Sequence, residues 1–217
     1  MGRAKEPKPA DIDKFLKLEE DKRNRIINAA MKEFRYGYKK ASTDIIVKEA
    51  GISKGLLFHY FGTKEQLYAY VALHAANLVE KNHFDIMSRG YRDILELFWQ
   101  MVLSQKDMCN QYPYLNDFLS SIYIHREDLP NEEMSAYVTQ EYQASYERFF
   151  GQCDTESLRD DIDHKKAIDT IALTLSSIIE EESKLVSVDG WKDENHERFL
   201  ETLRGYIDFF RAAFYKQ

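Results

Sequence analysis

Between Ser42 and Lys64 the chain is cut by Gly51 and Gly62 into two helical runs of about two turns each. Runs that short cannot hold alone and must pack against each other and against longer helices. Ser42-Thr43 offers an N-cap to the first, which carries Ile45, Ile46, Val47 and Ala50. Ser53 caps the second, which carries Leu56, Leu57, Tyr60 and Phe61. Gly51 permits a backbone turn that a side chain would obstruct, and Ile52 plugs the angle between the helices. The pattern is a helix-turn-helix whose second helix is short enough to push its N-terminal end into a groove about 12 Å wide. Its outward residues, Ser53, Lys54, Gly55, Leu56 and His59, are small, basic or apolar, and Gly55 would let a duplex approach closely.

The rest of the chain is read as helix too. From Asp11 the pattern is helical, with Ile12, Phe15 and Leu16 leading into Ile26, Ile27, Ala30, Met31 and Phe34, and Gly37 ending the run. Thr63-Lys-Glu-Gln66 forms a capping box that opens a helix from about 64 to 82. Further helices are expected near 90–105, 112–125, 131–150, 163–186 and 192–215, about nine in all. Nothing alternates with period two, and 9 Gly and 4 Pro are too few for an all-β chain. The expected fold class is all-α. Cys109 and Cys153 make neither a disulfide framework nor a CxxC pair. With no apolar run of membrane-spanning length and no apolar signal core, a cytoplasmic protein without a membrane partner is expected.

A net charge of −7 argues against nucleic acid as a partner, but it averages unlike parts. Residues 1–84 hold 16 Lys+Arg against 11 Asp+Glu, and residues 85–217 hold 14 against 26. The basic end coincides with the helix-turn-helix, which is where a nucleic-acid-facing module belongs. Arg3, Lys5 and Lys8 read as a flexible arm.

The run from Ser42 to Leu67 (STDIIVKEAGISKGLLFHYFGTKEQL) resembles the signature of the tetracycline-repressor (TetR) family, closely over about residues 20–82. The resemblance implies a helix-turn-helix domain over 19–65, a connecting helix over about 64–82, and a helical effector-binding and dimerisation domain over 83–217. It implies that Ser42 and Thr43 contact phosphate at a helix N-terminus. Ser53 falls on the same reading face. Lys54 would read a base edge, with Gly55 and Leu56 against bases. His59 and Tyr60 would touch the backbone, and Lys64 would neutralise a phosphate. Two positions depart from the pattern: Leu56 stands where a small or hydroxylic residue is common, and Phe58 where tyrosine is common.

The acidic remainder shows no nucleotide-binding glycine loop, no HExxH and no Ser/His/Asp arrangement, so no enzyme, cofactor or metal site is expected. Its aromatics suit an apolar pocket, and Trp99, Phe118, Tyr123 and Tyr146 are the candidate lining residues. The last two helices carry broad apolar stripes. With the resemblance, Ile171, Leu175, Ile178, Leu203, Ile207 and Phe210 are assigned to an intermolecular four-helix bundle. The expected protein is a homodimeric regulator that binds a pseudo-palindromic double-stranded DNA operator as a repressor and is released by a small apolar or amphipathic effector. The alternatives are a helical small-molecule-binding protein or enzyme whose helix-turn-helix is scaffold, and an architectural DNA-binding protein without an effector.

Overall fold

The computed structural model describes residues 12–151, 153–189 and 193–217. They form ten α-helices and one 3-10 turn, with no strand among the described residues. In chain order these are α1 (Ile12–Leu16), α2 (Glu20–Phe34), α3 (Thr43–Ala50), α4 (Lys54–Phe61), α5 (Lys64–Ser88), α6 (Ile94–Gln111), α7 (Leu115–Ile124), the 3-10 turn Arg126–Asp128, α8 (Glu132–Phe150), α9 (His164–Asp189) and α10 (Asp193–Phe214). The all-α expectation holds. The first expected helix is two, because the Arg23 guanidinium donates to the carbonyls of Leu16 (2.7 Å) and Leu18 (2.8 Å) and so ends α1.

The chain divides into two compact units, neither of them contiguous. The first takes the chain up to Leu78 together with Gln111–Val138; the second takes Val79–Asn110 and Thr139–Gln217. The expected domain over 83–217 therefore differs from the observed division, because α7 and the turn after it belong with the N-terminal helices. The reason is a buried apolar face on α7 made of Leu115, Phe118 and Ile122. The Phe118 ring lies 5.7 Å from Tyr68 and 6.4 Å from Phe34. Around this contact Arg35 pairs with Asp117 at 3.3 Å, Asn28 Nδ2 donates to Gln111 O at 2.9 Å, and Lys39 pairs with Asp128 at 2.8 Å.

The core of the second unit joins Ile94, Leu95, Phe98 and Val102 of α6 to Ala167, Ile171, Ala172 and Leu175 of α9 and to Phe199, Leu203, Ile207 and Phe210 of α10. This corrects the assignment of the α9 and α10 stripes to a partner. Ile171, Leu175, Leu203, Ile207 and Phe210 are buried within their own subunit, and Ile178 is half-buried against the same core. Burying them satisfies the apolar stripe each helix needs. Among the described residues, the large apolar side chains that these two helices leave outside are Leu173 (64% exposed), Phe209 (63%) and Tyr206 (42%). The acidic run Asp160-Asp161-x-Asp163 is used locally: Asp160 holds Lys216 at 2.7 Å, Asp161 holds Arg159 at 2.6 Å, and Asp163 Oδ1 accepts from the Lys166 amide at the start of α9.

Candidate nucleic-acid interface

The helix-turn-helix is set by two glycines with positive φ. Gly51 closes α3 at φ 66°, ψ 38°, where the amides of Gly51 and Ile52 return to Lys48 O and Val47 O. Nothing lies within 4 Å of a Cβ built there, so the glycine is needed for its backbone angle alone. Gly62 ends α4 at φ 74°, ψ −66°, with the Thr63 amide donating to Phe61 O at 2.9 Å in a γ-turn. That turn starts α5 at once. Thr63 Oγ1 accepts from the Gln66 amide at 3.1 Å, which is half of the expected capping box. The Thr63 amide is already used in the γ-turn.

At the head of α4, Ser53 Oγ accepts from the Leu56 amide at 3.2 Å and so caps the helix as expected. Lys54 and Gly55 beside it are exposed, and Leu56 is half-buried. Gly55 is helical, and a Cβ built on it meets nothing within 4 Å. Leu57 and Phe61 face inward, fully buried. Ser42 and Thr43 stand half-buried at the start of α3; Ser42 donates its amide to Glu33 Oε1 at 2.9 Å, and its hydroxyl makes no cap bond. Hydroxyls, a cation and an uncovered stretch of helix backbone thus stand at the N-terminal ends of α3 and α4.

The cations of this face are held by neighbours that the sequence pattern did not single out. Lys54 Nζ pairs with Asp44 Oδ1 of α3 at 2.8 Å. Lys64 Nζ lies over the Tyr38 ring, 4.7 Å from its centre, a cation–π contact. Burial pulls the Lys64 ammonium below the usual lysine pKa, and the Glu33 carboxylate opposes that shift. His59 is exposed, with Nε2 3.4 Å from Lys14 Nζ of α1. Tyr60 departs from expectation. It is only 6% exposed, with its ring edge-on to Phe15 at 5.8 Å, so it is a packing residue of α4 and does not project outward.

Three of the four pocket candidates have described side chains. Phe118 is fully buried in the core of the first unit, which corrects its assignment to a ligand wall. Tyr123 sits on the same α7, 42% exposed. The Tyr146 side chain lies outside the described residues, as do Arg3, Lys5 and Lys8. Trp99 alone lines an opening, a groove of about 300 Å³ in the second unit with Leu95, Ile207, Asp208, Arg204 and Arg211. Arg204 stacks on its ring at 5.1 Å.

A capped two-turn helix with its first turn uncovered, braced across a glycine turn by a second helix, defines a helix-turn-helix DNA-binding protein. Residues 26–71 match the model of "Bacterial regulatory proteins, tetR family". Among solved structures, a TetR family transcriptional regulator from Chloroflexus aurantiacus is 17% identical, with a TM-score of 0.65 over 94% of this chain and 98% of that one. The ketosteroid transcriptional regulator KstR2 of Mycobacterium tuberculosis is 14% identical, with a TM-score of 0.64 over 93% and 98%. The TetR family protein CprB from S. coelicolor is 21% identical, with a TM-score of 0.61 over 91% and 90%. Residues 26–71 thus match a tetR-family DNA-binding domain, and the whole chain has the fold of the TetR family regulators to which it is similar.

Proposed function

We propose that the protein is a homodimer that represses transcription by seating two α4 helices on a pseudo-palindromic operator, and that a small apolar or amphipathic effector releases it. The observation that carries the DNA half is Gly55. A glycine in a helix costs stability, and nothing inside the chain requires it there, since its Cβ would point into open space. Its use lies with whatever approaches α4 from outside, beside Ser53 and Lys54.

The dimer reading rests on Leu173, Tyr206 and Phe209, exposed on helices α9 and α10 that pack together. On a pseudo-palindromic operator the two reading helices of such a dimer would have to stand about 34–36 Å apart, one turn of duplex. For the effector, the support is an aromatic-rich second unit with an open groove beside Trp99, and a fold shared with a ketosteroid transcriptional regulator. The link is α5, which begins at Lys64 and runs without a break to Ser88. An effector shifts the equilibrium only by its difference in affinity for the DNA-competent and released states.

The protein is read as non-enzymatic, as regulators of this family typically are. Burial pushes the Cys153 thiol up to about 12, which keeps it from acting as a nucleophile. Among the described residues no helix is long and apolar enough to cross a membrane. The test is fluorescence anisotropy on duplexes selected from a random pool, against unselected duplexes, over a salt series. A clear preference with steep salt dependence is expected. Equal binding to every duplex with little response to salt would overturn the reading.

A further inference from the structure

Helix α1 lies upstream of the residues that match the family model, yet it packs on the helix that reads DNA. Five residues do not make a stable helix in water. What holds α1 is Phe15, wholly buried, with its ring 5.8 Å from Tyr60 and 4.8 Å from Phe61 of α4 and 5.4 Å from Tyr70 of α5. Just past it, the Arg23 guanidinium takes the carbonyls of Leu16 and Leu18. The C-terminal end of the helix is therefore held against the first unit, and that places Lys14, the residue before Phe15. Lys14 is exposed, and its ammonium stands 3.4 Å from His59 Nε2 on the outer side of α4.

His59 is five residues past Lys54, about 7.5 Å along the helix axis. A recognition helix enters the groove by its N-terminal end, so a residue that far along passes the sugar–phosphate wall. We propose that Lys14 is a phosphate ligand of the operator backbone, that Lys14 and His59 together grip one phosphate from two elements, and that Phe15 is the positioning residue that sets Lys14 there. The proposal rests on the DNA-binding reading above. It adds a contact from outside the matched domain, so the protein's footprint on DNA extends beyond that of α3 and α4. The exposed Lys17, in the turn that follows α1, adds a second cation to the same end of the unit. Asp13 is the acidic residue within α1, exposed and next to Lys14 in sequence.

The experiment uses the full chain and duplexes selected with the wild-type protein, with anisotropy measured over a salt series. Lys14→Ala is expected to weaken selected and unselected duplexes alike, by up to about eightfold per contact at 0.1 M salt, and to flatten the log–log salt slope by about one unit per subunit. Lys14→Arg should restore the slope, and the melting temperature should not move in either variant. Phe15→Leu should flatten the slope in the same direction although the Lys14 side chain is still present, because its position is no longer set. Lys64→Ala serves as the reference for a lost phosphate contact. If Lys64→Ala flattens the slope and Lys14→Ala leaves it at the wild-type value, α1 is a structural brace only and the proposal fails while the DNA-binding reading stands. If the wild-type protein shows no salt dependence on any duplex, both fail.

Discussion

Gly55 offers a test in which stability and function move in opposite directions. Replacing it with alanine adds a methyl that meets no atom within 4 Å in the free protein, so the fold has nothing to repack. Alanine is favoured over glycine in a helix interior by about 1 kcal/mol, and position 55, in the first turn of α4, should realise about half of that. For a chain of this length 1 kcal/mol moves the melting point by about 2–4 °C, so Gly55→Ala should melt about 1–2 °C higher. On DNA the same methyl occupies space that the duplex needs. Forcing a methyl into a close-packed contact costs about 1–3 kcal/mol, and a dimer meets that cost twice. Even the lower figure gives about 2 kcal/mol, roughly thirtyfold weaker binding. Thermal melts followed by circular dichroism and anisotropy titrations on a selected duplex measure the two effects on one sample. Gly51→Ala is the contrast: with φ at 66° it should destabilise the fold by about 1–2 kcal/mol, and it would weaken binding only through the fold. If Gly55→Ala melts higher and binds DNA unchanged, the duplex does not approach α4 at that residue, and the argument from the empty Cβ position is refuted.

Other outcomes follow from the same packing. Phe209→Glu places a charge on the outward face of α10 without touching the subunit core, so sedimentation should show monomer with the helical signal retained; an unchanged dimer would remove that face from the interface. Phe118→Ala should cost about 3–5 kcal/mol in denaturant melts, because it empties the contact between α7, Phe34 and Tyr68; a loss under 1 kcal/mol would mean that α7 is not seated there. His83 stacks on Phe149 at 4.3 Å, and burial, helped by Arg148, lowers its pKa from 6.5 to about 4. The unfolded chain therefore takes up the proton first as pH falls. Stability present above pH 6.5 should decline by about 3 kcal/mol towards pH 4, and His83→Leu should flatten that part of the profile. An identical profile in the variant would contradict it.

Much of the reading head was legible because its signals are local. Caps at Ser53 and Thr63 and positive-φ glycines at 51 and 62 act within a few residues, so the sequence marks the end of α3, both ends of α4 and the start of α5, whereas α5 runs on to Ser88, past the expected 82. The break between α1 and α2 was not legible. Lys17-Leu-Glu-Glu20 contains no glycine, proline or cap, and the helix is stopped by a guanidinium from a residue further on. Periodicity also could not say which apolar face of α10 met the subunit's own core. Both Leu203–Ile207–Phe210 and Tyr206–Phe209 have helical spacing, and only the fold shows that the first set is inside. For Tyr60 the motif suggested an outward phenol, but Phe15, from a segment the motif does not include, covers it. Asp44 as the partner of Lys54, and Tyr38 beneath Lys64, are pairings between elements that leave no mark in spacing.

The return of the chain at Gln111–Val138 to finish the first unit has a consequence for how this protein is made and cut. As the polypeptide leaves the ribosome, the DNA-reading helices emerge early, but Phe34 and Tyr68 stay without Phe118 until about fifty further residues have been added. The head is thus completed late, after α6 has been synthesised. A fragment ended at the close of the family-matched segment would expose that aromatic surface, and a chimera that grafts these N-terminal helices onto a relative's body must carry α7 along with them. In this chain the module that reads DNA is not a detachable N-terminal piece.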